Sequence, residues 1–320
     1  EILALHRAGP RARGGVLYVT LEPCFHSHKR TPPCVPLLIQ SALSRVCVAM
    51  PDPNPQVTGR GIRALQQAGI DVLVGMLETE ARQLNEVYIH WMTTGRPFLI
   101  LKGAMTLDGK IATHSGQSKW ITGEKARQDV HRVRSQVDAV MVGIGTVLAD
   151  NPELSARGSK NASKRRAGRQ PVRVVLDSQL RIPIKANVLK WIHEQPTIVC
   201  TSIEASPKKI HTLNDRGIQV WVLPQKNGRV SLKAALTKLG KAGMSTVLLE
   251  GGSSLNASAL HEGLVNQVQL YIAPHILGGQ DAKSLIGGNS PKTLDQAWRL
   301  VNPKLKKMGQ DWLVTGNIDR

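Results

Sequence analysis

The sequence contains few aromatic residues and no long apolar run. Aromatic residues make up 3% of the 320 residues, so few rings are available to stack on nucleic-acid bases. No apolar run approaches the ~18 residues that a membrane-spanning helix needs, and the first residues do not have the pattern of a signal peptide. We therefore expect a soluble, cytoplasmic protein that binds neither nucleic acid nor a membrane.

Cysteine is also scarce, with four residues in the whole chain. So few cysteines do not make the disulfide framework of a small secreted protein. Cys47 and Cys200 lie in apolar runs that predict strands, and buried free thiols are expected there. Cys24 and Cys34 are left as candidates for a metal site or for catalysis.

Acidic residues are outnumbered by basic ones. The chain has 23 Asp and Glu residues and 42 Lys and Arg residues, which gives a formal net charge of +19. An excess of positive charge is typical of proteins that bind nucleic acid, and a nucleic-acid-binding or tRNA-editing deaminase is therefore one alternative. Apart from local clusters, however, the basic residues are spread along the chain. Small phosphorylated substrates and a solvated basic surface explain the same charge, and we favour that explanation.

The length predicts two domains. In both halves short apolar runs alternate with segments of helical spacing, the pattern of a mostly parallel sheet covered by helices. The glycine and proline within residues 93–97 predict a linker, so we expect one domain at 1–94 and another at 98–320. A single long helix is predicted at 78–93. The predicted strands are 16–21, 45–50 and 71–76, then 98–102, 139–142, 172–176, 197–200, 219–223, 246–249 and 267–272.

Residues 22–34 carry the highest density of reactive side chains. They follow the predicted strand 16–21 and contain two cysteines, two histidines and three prolines. Zinc prefers thiolate and imidazole ligands, and a catalytic zinc needs three protein ligands and one open position. Cys24 and Cys34 supply two ligands, and His26 or His28 could supply a third. The alternative is a pair of buried thiols that bind no metal.

Several segments of the first half resemble the deaminase half of the bifunctional riboflavin-biosynthesis deaminase/reductases. These segments are 1–5, 18–24, 30–34 and 52–61, and they include the motif Glu22-Pro23-Cys24. The resemblance implies a cytidine-deaminase-like zinc domain, in which Cys24 and Cys34 bind Zn²⁺ and Glu1 shuttles protons.

Two features depart from the family's pattern. The resemblance implies that about fifty residues preceding Glu1 in the family are missing here, among them the third zinc ligand, a histidine. The loop between Cys24 and Cys34 has nine residues, one more than is usual in the family. We therefore expect a chain that begins at Glu1 to bind zinc poorly.

The substrate implied for the first domain is a phosphorylated pyrimidine, 2,5-diamino-6-(5-phosphoribosylamino)pyrimidin-4-one, whose 2-amino group is replaced by oxygen. The resemblance places Lys29, Asp52 and Asn54 at substrate-contacting positions. A cation at Lys29 suits phosphate, while the other two side chains suit the sugar or the base. The alternative for Asp52 and Asn54 is that they only form a turn.

The second half lacks the Gly-x-Gly-x-x-Gly fingerprint of a Rossmann dinucleotide site. It contains instead an apolar run, Leu248–Leu249, followed by Glu250, the pair Gly251-Gly252 and a predicted helix. Such a turn exposes backbone N–H groups that bind phosphates. Together with segments 101–112, 118–122, 134–139, 143–152 and 170–178, this motif resembles the reductase half of the same family, whose fold is dihydrofolate-reductase-like α/β.

The resemblance also implies the roles of individual residues in the second domain. The implied NADPH-binding residues are Ala104, Trp120, Thr146, Asp150, Ser178, Gly252, Ser253, Ser254, Leu255, Asn256, Ala257 and Ser258. The implied substrate-binding residues are Ser118, Arg134, Leu154, Arg157 and Glu250.

Chemistry supports several of these roles but leaves alternatives open. Arg134 and Arg157 suit phosphate, because guanidinium groups pair with phosphate oxygens. Their alternatives are a solvated helix face and a loop charge, and the alternative for Trp120 is a core residue. Lys102 closes a predicted strand, and beside Glu250 it could polarise the sugar during hydride transfer. We take Lys102 and Glu250 as the catalytic residues of the reductase.

The resemblance as a whole implies an enzyme of riboflavin biosynthesis with two cofactors, Zn²⁺ and NADPH. The first domain would deaminate the pyrimidine, and the second would reduce its ribosylamino side chain to ribitylamino. A reductase that carries only a structural remnant of the deaminase is the alternative. Association into a homo-oligomer, through the reductase domain, is also expected from the resemblance.

Overall fold

The structure is a computed structural model that describes residues 1–25, 32–157 and 170–319. The chain divides into two compact units, Glu1–Gly95 and Arg96–Arg320. Each unit has its own sheet and its own apolar core. Within the described residues, no helix has the length and apolar character needed to cross a bilayer.

The first unit is built on a parallel sheet. Its strands are β1 (Val16–Val19), β2 (Arg45–Val48) and β3 (Asp71–Val74), which lie side by side in that order. The helices described here are α1 (Ile2–Ala8), α2 (Cys34–Gln40), α3 (Arg60–Gln67), α4 (Glu78–Leu84) and α5 (Glu86–Thr94). Val35, Leu38, Val46 and Leu65 are fully buried in its core, as expected for a central parallel strand and its covering helices.

The prediction of one long helix at 78–93 is wrong, because the chain leaves the helical conformation at Asn85. The backbone there has φ −101° and ψ 12°, and the Asn85 side chain donates to the Ala81 carbonyl oxygen at 2.8 Å. Asparagine side chains compete with the backbone for hydrogen bonds and so disfavour a continuous helix.

The second unit contains a much larger sheet. Its principal strands are β4 (Phe98–Thr106), β6 (Ala139–Gly143), β7 (Val172–Leu176), β8 (Thr197–Thr201), β9 (Gln219–Val222), β12 (Thr246–Leu249), β13 (Gln267–Ala273), β15 (Leu300–Met308) and β16 (Asp311–Ile318). They form a nine-stranded sheet in the order β15-β16-β13-β4-β12-β6-β7-β8-β9. The run from β13 to β9 is parallel, and β15 and β16 add an antiparallel edge.

Short strands and helices complete the second unit. The short strands pair as β5 (Lys110–Ala112) with β14 (Lys283–Ser284), and as β10 (Gln225–Lys226) with β11 (Arg229–Val230). The described helices are α6 (Glu124–Gln136), α7 (Ile144–Asp150), α8 (Pro207–Asp215), α9 (Leu232–Lys241) and α10 (Ser253–His261). Cys200 lies fully buried in this core and Cys47 in the first unit, both as free thiols, which confirms the prediction for them.

The sheet places β4, β12 and β6 side by side, but the prediction that Lys102 closes a strand is wrong, because β4 continues to Thr106. Leu101 of β4, Leu249 of β12 and Met141 of β6 are neighbours in the parallel register. Glu250 follows the end of β12, and Lys102 lies beside it in the part of β4 that extends past β12 and pairs with β13. Ligands of open parallel sheets bind at this carboxyl edge.

Candidate active site

A cavity of about 1420 Å³ opens at the carboxyl edge of the sheet in the second unit. It exceeds the ~300–1,000 Å³ of ordinary small-molecule sites, so it has room for a cofactor and a substrate together. Its lining includes nine Lys and Arg residues but only five Asp and Glu residues. This imbalance favours ligands that carry phosphate.

Lys102, Arg134 and Glu250 form a charged cluster in the cavity wall. Arg134 Nε donates to Glu250 Oε1 at 2.6 Å, and Arg134 Nη2 donates to Glu250 Oε2 at 2.9 Å. Arg134 Nη1 donates to the Ser155 carbonyl oxygen at 3.1 Å. Lys102 Nζ lies 3.7 Å from Glu250 Oε2. The three side chains are at most 16% exposed, so their charges interact in a poorly hydrated environment.

Burial and charge together set the protonation of this cluster. Burial alone would raise the pKa of Glu250, but the charges of Arg134 and Lys102 lower it to about 2. Burial lowers the pKa of Lys102, and this effect, with the charge of Arg134, outweighs the opposing effect of Glu250. Glu250 is therefore ionised at neutral pH, while Lys102 gives up its proton more readily than a lysine in water.

This geometry does not agree with the prediction that Arg134 clamps a substrate phosphate. The forked face of its guanidinium group is occupied by the Glu250 carboxylate, the arrangement in which arginine binds carboxylates most strongly. The alternative of a solvated helix face does not agree with it either, because the side chain is buried. Arg134 positions Glu250 and balances its charge.

The turn between β12 and α10 combines a tightly packed glycine with an open one. A Cβ atom at Gly251 would lie 2.6 Å from Asn256 Oδ1 and 3.2 Å from the Leu255 side chain. A Cβ atom at Gly252 would meet only Thr146 Oγ1, at 3.7 Å, so the backbone of Gly252 remains open to the cavity. The Leu255 and Asn256 N–H groups donate to the Gly252 carbonyl oxygen at 3.0 and 3.1 Å. The N–H groups of Ser253 and Ser254 precede these bonds, and such groups at a helix start favour an anion.

Most of the predicted cofactor segment lines the cavity, but two of its residues do not. The lining residues of the segment are Gly252, Ser253, Ser254, Leu255 and Ser258. Asn256 and Ala257 are buried in the protein interior, and Asn256 Nδ2 donates to the Leu285 carbonyl oxygen at 3.1 Å. The period of the helix turns these two side chains away from the cavity, so Asn256 holds a neighbouring loop rather than contacting a ligand in the cavity.

The other predicted cofactor residues also line the cavity, among them Ala104 and Thr146. Asp150 Oδ1 accepts a hydrogen bond from Ser118 Oγ at 3.1 Å, which links a predicted cofactor residue to a predicted substrate residue. Ser178 Oγ accepts a hydrogen bond from the Val230 N–H at 2.8 Å and so ties β11 to the cavity wall.

Trp120 lies at the cavity with 70% of its surface exposed. The alternative that it is a core residue is therefore wrong. The Arg127 guanidinium group stacks 4.8 Å from the centre of its ring, which holds the indole by a cation–π contact. One flat apolar surface is thus presented to the cavity.

Leu154 and Arg157 complete the predicted substrate residues. Leu154 is buried, with φ 55°, in the segment that carries Ser155. Arg157 is half-exposed and pairs with Glu153 at 2.8 Å. Both line the cavity, and Arg157 is the more accessible cation of the two arginines predicted to bind phosphate.

In the first unit, the structure brings Glu1, Cys24 and Cys34 together. Cys34 Sγ donates to Glu1 Oε2 at 3.1 Å, and the Cys34 N–H donates to Cys24 Sγ at 3.3 Å. Burial, with the Glu1 carboxylate and Cys24, raises the pKa of Cys34 to about 12. Cys34 is therefore a thiol, not a thiolate, in this arrangement.

These residues do not complete a zinc site by themselves. No group of three or more His, Cys, Asp or Glu residues able to hold a metal ion occurs among residues 1–25, 32–157 and 170–319. The two thiols are fewer than the three ligands that a catalytic zinc requires. His26, His28 and Lys29 lie outside the described residues, so the zinc site remains a prediction.

Glu22 and Asp52 shape the loop beside these cysteines. The buried Glu22 carboxylate accepts hydrogen bonds from the N–H groups of Asp52, Gly59, Gly61 and Ile62, at 2.9–3.2 Å. Asp52 is itself buried, and its Oδ1 accepts from the Asn54 N–H at 2.8 Å and from Tyr88 Oη at 3.0 Å. This arrangement favours the turn-forming alternative for Asp52 and Asn54.

Comparison with known proteins identifies the family. The family model of the RibD C-terminal domain matches residues 97–314. The riboflavin biosynthesis protein RibD of Actinobacillus pleuropneumoniae is 47% identical over 301 residues, which are 94% of this chain and 78% of that protein. The chain belongs to the RibD family.

Solved RibD structures have the same mixed α/β architecture. Acinetobacter baumannii RibD, form 1, matches with a TM-score of 0.85 and 36% identity over 100% of this chain and 85% of that chain. A diaminohydroxyphosphoribosylaminopyrimidine deaminase/5-amino-6-(5-phosphoribosylamino)uracil reductase from Thermotoga maritima has a TM-score of 0.81 and 34% identity, over 99% and 83% of the two chains. Membership of the RibD family connects the chain to riboflavin biosynthesis, and its second unit is the RibD reductase domain.

Some cavity residues of this RibD reductase domain were not singled out from the sequence. They include Lys119, His131, Arg181, Lys226 and Arg229. The spacing of Arg127, His131 and Arg134 on one face of α6 was a usable signal for His131. The basic hairpin of β10 and β11 gave no such signal, because its strands have two residues each.

Proposed function

We propose that the second unit uses NADPH to reduce the ribosylamino side chain of a phosphorylated aminopyrimidine to a ribitylamino group. The observation that carries this proposal is the placement of the Lys102–Glu250 pair in the wall of a cavity that also contains the open turn at Gly252. A proton-active pair beside a phosphate-binding turn is what hydride transfer from a dinucleotide to a sugar-derived imine needs.

The cavity residues fit NADPH in three respects. The open backbone at Gly252 and the first turn of α10 suit a pyrophosphate group. The exposed ring of Trp120 offers an apolar surface, and Thr146 and Asp150 offer hydrogen-bonding groups. NADPH, when bound there, supplies the hydride.

Lys102 supplies the proton for opening the sugar ring. The C1′–O4′ bond breaks, the lone pair of the attached nitrogen forms a C1′=N bond, and Lys102 Nζ donates its proton to O4′. Reduction at C1′ then completes the ribitylamino group, and Lys102 regains a proton from water. The lowered pKa of Lys102 favours this donation.

Glu250 stabilises the positive charge that the substrate nitrogen carries after ring opening. Its pKa of about 2 keeps the carboxylate ionised throughout the reaction. Arg134 holds both carboxylate oxygens in fixed positions, so little reorganisation is needed when the charge develops.

The substrate phosphate is assigned to the accessible basic rim around Arg157. The ion pair of Arg157 with Glu153 is exposed, and exposed pairs of this kind contribute only about 0–1 kcal/mol. Arg157 can therefore exchange Glu153 for a phosphate at little cost, whereas Arg134 is committed to Glu250.

The direct test is an assay of NADPH oxidation with the deaminated substrate, 5-amino-6-(5-phosphoribosylamino)uracil. We expect oxidation that depends on this substrate and saturates with both reactants. The dephosphorylated substrate serves as the control, and its KM should be markedly higher. Absence of substrate-dependent oxidation in the folded protein would rule the proposal out.

A second candidate function, zinc-dependent deamination by the first unit, is favoured by the convergence of Glu1, Cys24 and Cys34. Two thiols beside a carboxylate are part of the zinc-deaminase set. Two measurements test it: the zinc content of the purified protein and the release of ammonia from the diaminopyrimidine precursor. Both are made on the chain itself and on a second form that carries a relative's N-terminal segment. Cys34→Ser is the control. Absence of zinc from both forms would leave the reductase as the sole activity.

A further inference from the structure

His131 lies in the cavity wall, three residues before Arg134. Arg127, Val130, His131 and Arg134 all line the cavity, because their spacing places them on one face of α6. The reaction described above gives a role to Arg134 and leaves His131 without one.

One hydrogen bond fixes the arrangement of the imidazole ring. His131 Nδ1 lies 3.0 Å from the Ser155 carbonyl oxygen, which also accepts from Arg134 Nη1. A carbonyl oxygen can only accept, so Nδ1 carries the proton and Nε2 carries a lone pair in the neutral ring. His131 and Arg134 are thus held by the same backbone atom.

The ring is neutral, and its second nitrogen is accessible. Burial, assisted by the positive charges of Arg134 and Arg157, lowers the pKa of His131 to about 4. Among the described residues, Nε2 has no hydrogen-bond partner. It is also not one of the buried polar atoms that lack a partner there, so this nitrogen is exposed. A neutral hydrogen-bond acceptor therefore opens into the cavity close to Glu250.

We propose that His131 Nε2 accepts a hydrogen bond from an O–H or N–H group of the pyrimidine substrate and thereby positions the sugar beside Lys102 and Glu250. A neutral acceptor cannot donate a hydrogen bond to phosphate oxygens, so the phosphate is left to the basic rim around Arg157. His131 is a positioning residue whose role rests on the proposed reductase function.

Two variants separate the accessible nitrogen from the bonded one. His131→Asn keeps a donor for Ser155 near the place of Nδ1 but loses the acceptor at Nε2. His131→Gln places an amide oxygen near Nε2 and loses the bond to Ser155. We expect H131N to raise KM for the pyrimidine substrate by roughly tenfold, the effect of one lost hydrogen bond, while KM for NADPH stays unchanged. H131Q should remain close to wild type.

Equilibrium binding of the ribitylamino product to the full chain provides a readout that does not depend on turnover. H131N should weaken product binding as much as it raises KM. Wild-type KM and product affinity in H131N would overturn the proposal, and so would equal losses in both variants together with weaker NADPH binding. If the wild-type chain binds the product but does not oxidise NADPH, the reductase proposal fails while the binding role of His131 is still measured.

A substrate analogue without the 5-amino group shows whether that amino group is the donor. If H131N still raises KM with this analogue, the donor is a hydroxyl of the sugar or another N–H group of the pyrimidine. If the difference between H131N and wild type disappears, the donor is the amino group. Either result supports the assignment of Nε2 as the acceptor.

Discussion

Arg134 and Glu250 are joined by two parallel hydrogen bonds of 2.6 and 2.9 Å in the wall of the cavity. The same carboxylate lies 3.7 Å from Lys102 Nζ. One buried anion therefore balances two buried cations, so activity and stability of the second unit depend on a shared residue.

Substitution Glu250→Gln should reduce both properties. We expect the rate of NADPH oxidation to fall by about 10²-fold or more, the usual effect of losing a preorganised charge. The free energy of unfolding should fall by about 3–5 kcal/mol, since a buried cation loses its partner. Glu153→Gln, which breaks the exposed pair with Arg157, is the matched control and should cost about 1 kcal/mol or less. Wild-type turnover in E250Q would remove Glu250 from the mechanism.

The same carboxylate predicts a loss of stability in acid. The pKa of Glu250 falls from its ordinary 4.5 to about 2 on folding, so below pH 4.5 the unfolded chain takes up a proton that the folded chain does not. The stabilisation is complete above pH 4.5 and is lost as the pH falls towards 2, by about 3 kcal/mol. Denaturant unfolding at a series of pH values measures it. Because E250Q keeps the other carboxylates, it should show a shallower acid limb, and an identical limb would contradict the assignment.

Lys102→Met should lower kcat by about 10²- to 10⁴-fold, the range for loss of a general acid. The fold should persist, because Glu250 keeps its two hydrogen bonds to Arg134. Lys102→Arg preserves the positive charge, but the guanidinium group does not release its proton. This variant should therefore be nearly as inactive as Lys102→Met. Steady-state kinetics provide the comparison. An unchanged kcat with a raised KM would make Lys102 a binding residue only.

The two glycines after β12 should respond differently to substitution by alanine. Gly252→Ala meets only Thr146 Oγ1, at 3.7 Å, so the chain should fold normally while the added methyl group obstructs the phosphate turn and raises KM for NADPH. Gly251→Ala would place its Cβ 2.6 Å from Asn256 Oδ1 and should lower the melting temperature. Thermal unfolding and NADPH titration distinguish the two. Normal NADPH affinity in G252A would place the cofactor elsewhere.

The sequence predicted the positions of the parallel strands well, because β4, β6, β7, β8 and β12 are rich in apolar residues. The predicted end of β4 was four residues short, because Lys102 and Gly103 interrupt its apolar run. The sequence did not predict the hairpin of β15 and β16. Lys304, Lys306 and Lys307 lie on both faces of β15, which is largely exposed, and such a strand has no alternating pattern to detect. The split at Asn85 also escaped prediction, since the apolar stripe continues across it.

The role of a site residue was predictable from the sequence where a local turn or motif determines it. It was less predictable where the role depends on a contact with a residue that is distant in the chain. The Gly251–Gly252 turn identified the start of α10, but the helix period then placed Asn256 and Ala257 in the interior. Arg134 was recognised as important, yet its partner, Glu250, follows a strand more than a hundred residues later in the chain. Only the folded sheet brings the two together.

Transfer of isotope from NADPH to the substrate tests the central proposal most directly. The wild-type chain would be given 5-amino-6-(5-phosphoribosylamino)uracil with NADPH deuterated at both hydride positions, and the product would be examined by mass spectrometry and NMR. We predict one deuterium in the product, bound to C1′ of the ribityl chain, with one NADPH consumed for each product formed. NADPH oxidation without deuterium at C1′, or no oxidation at all, would contradict the account.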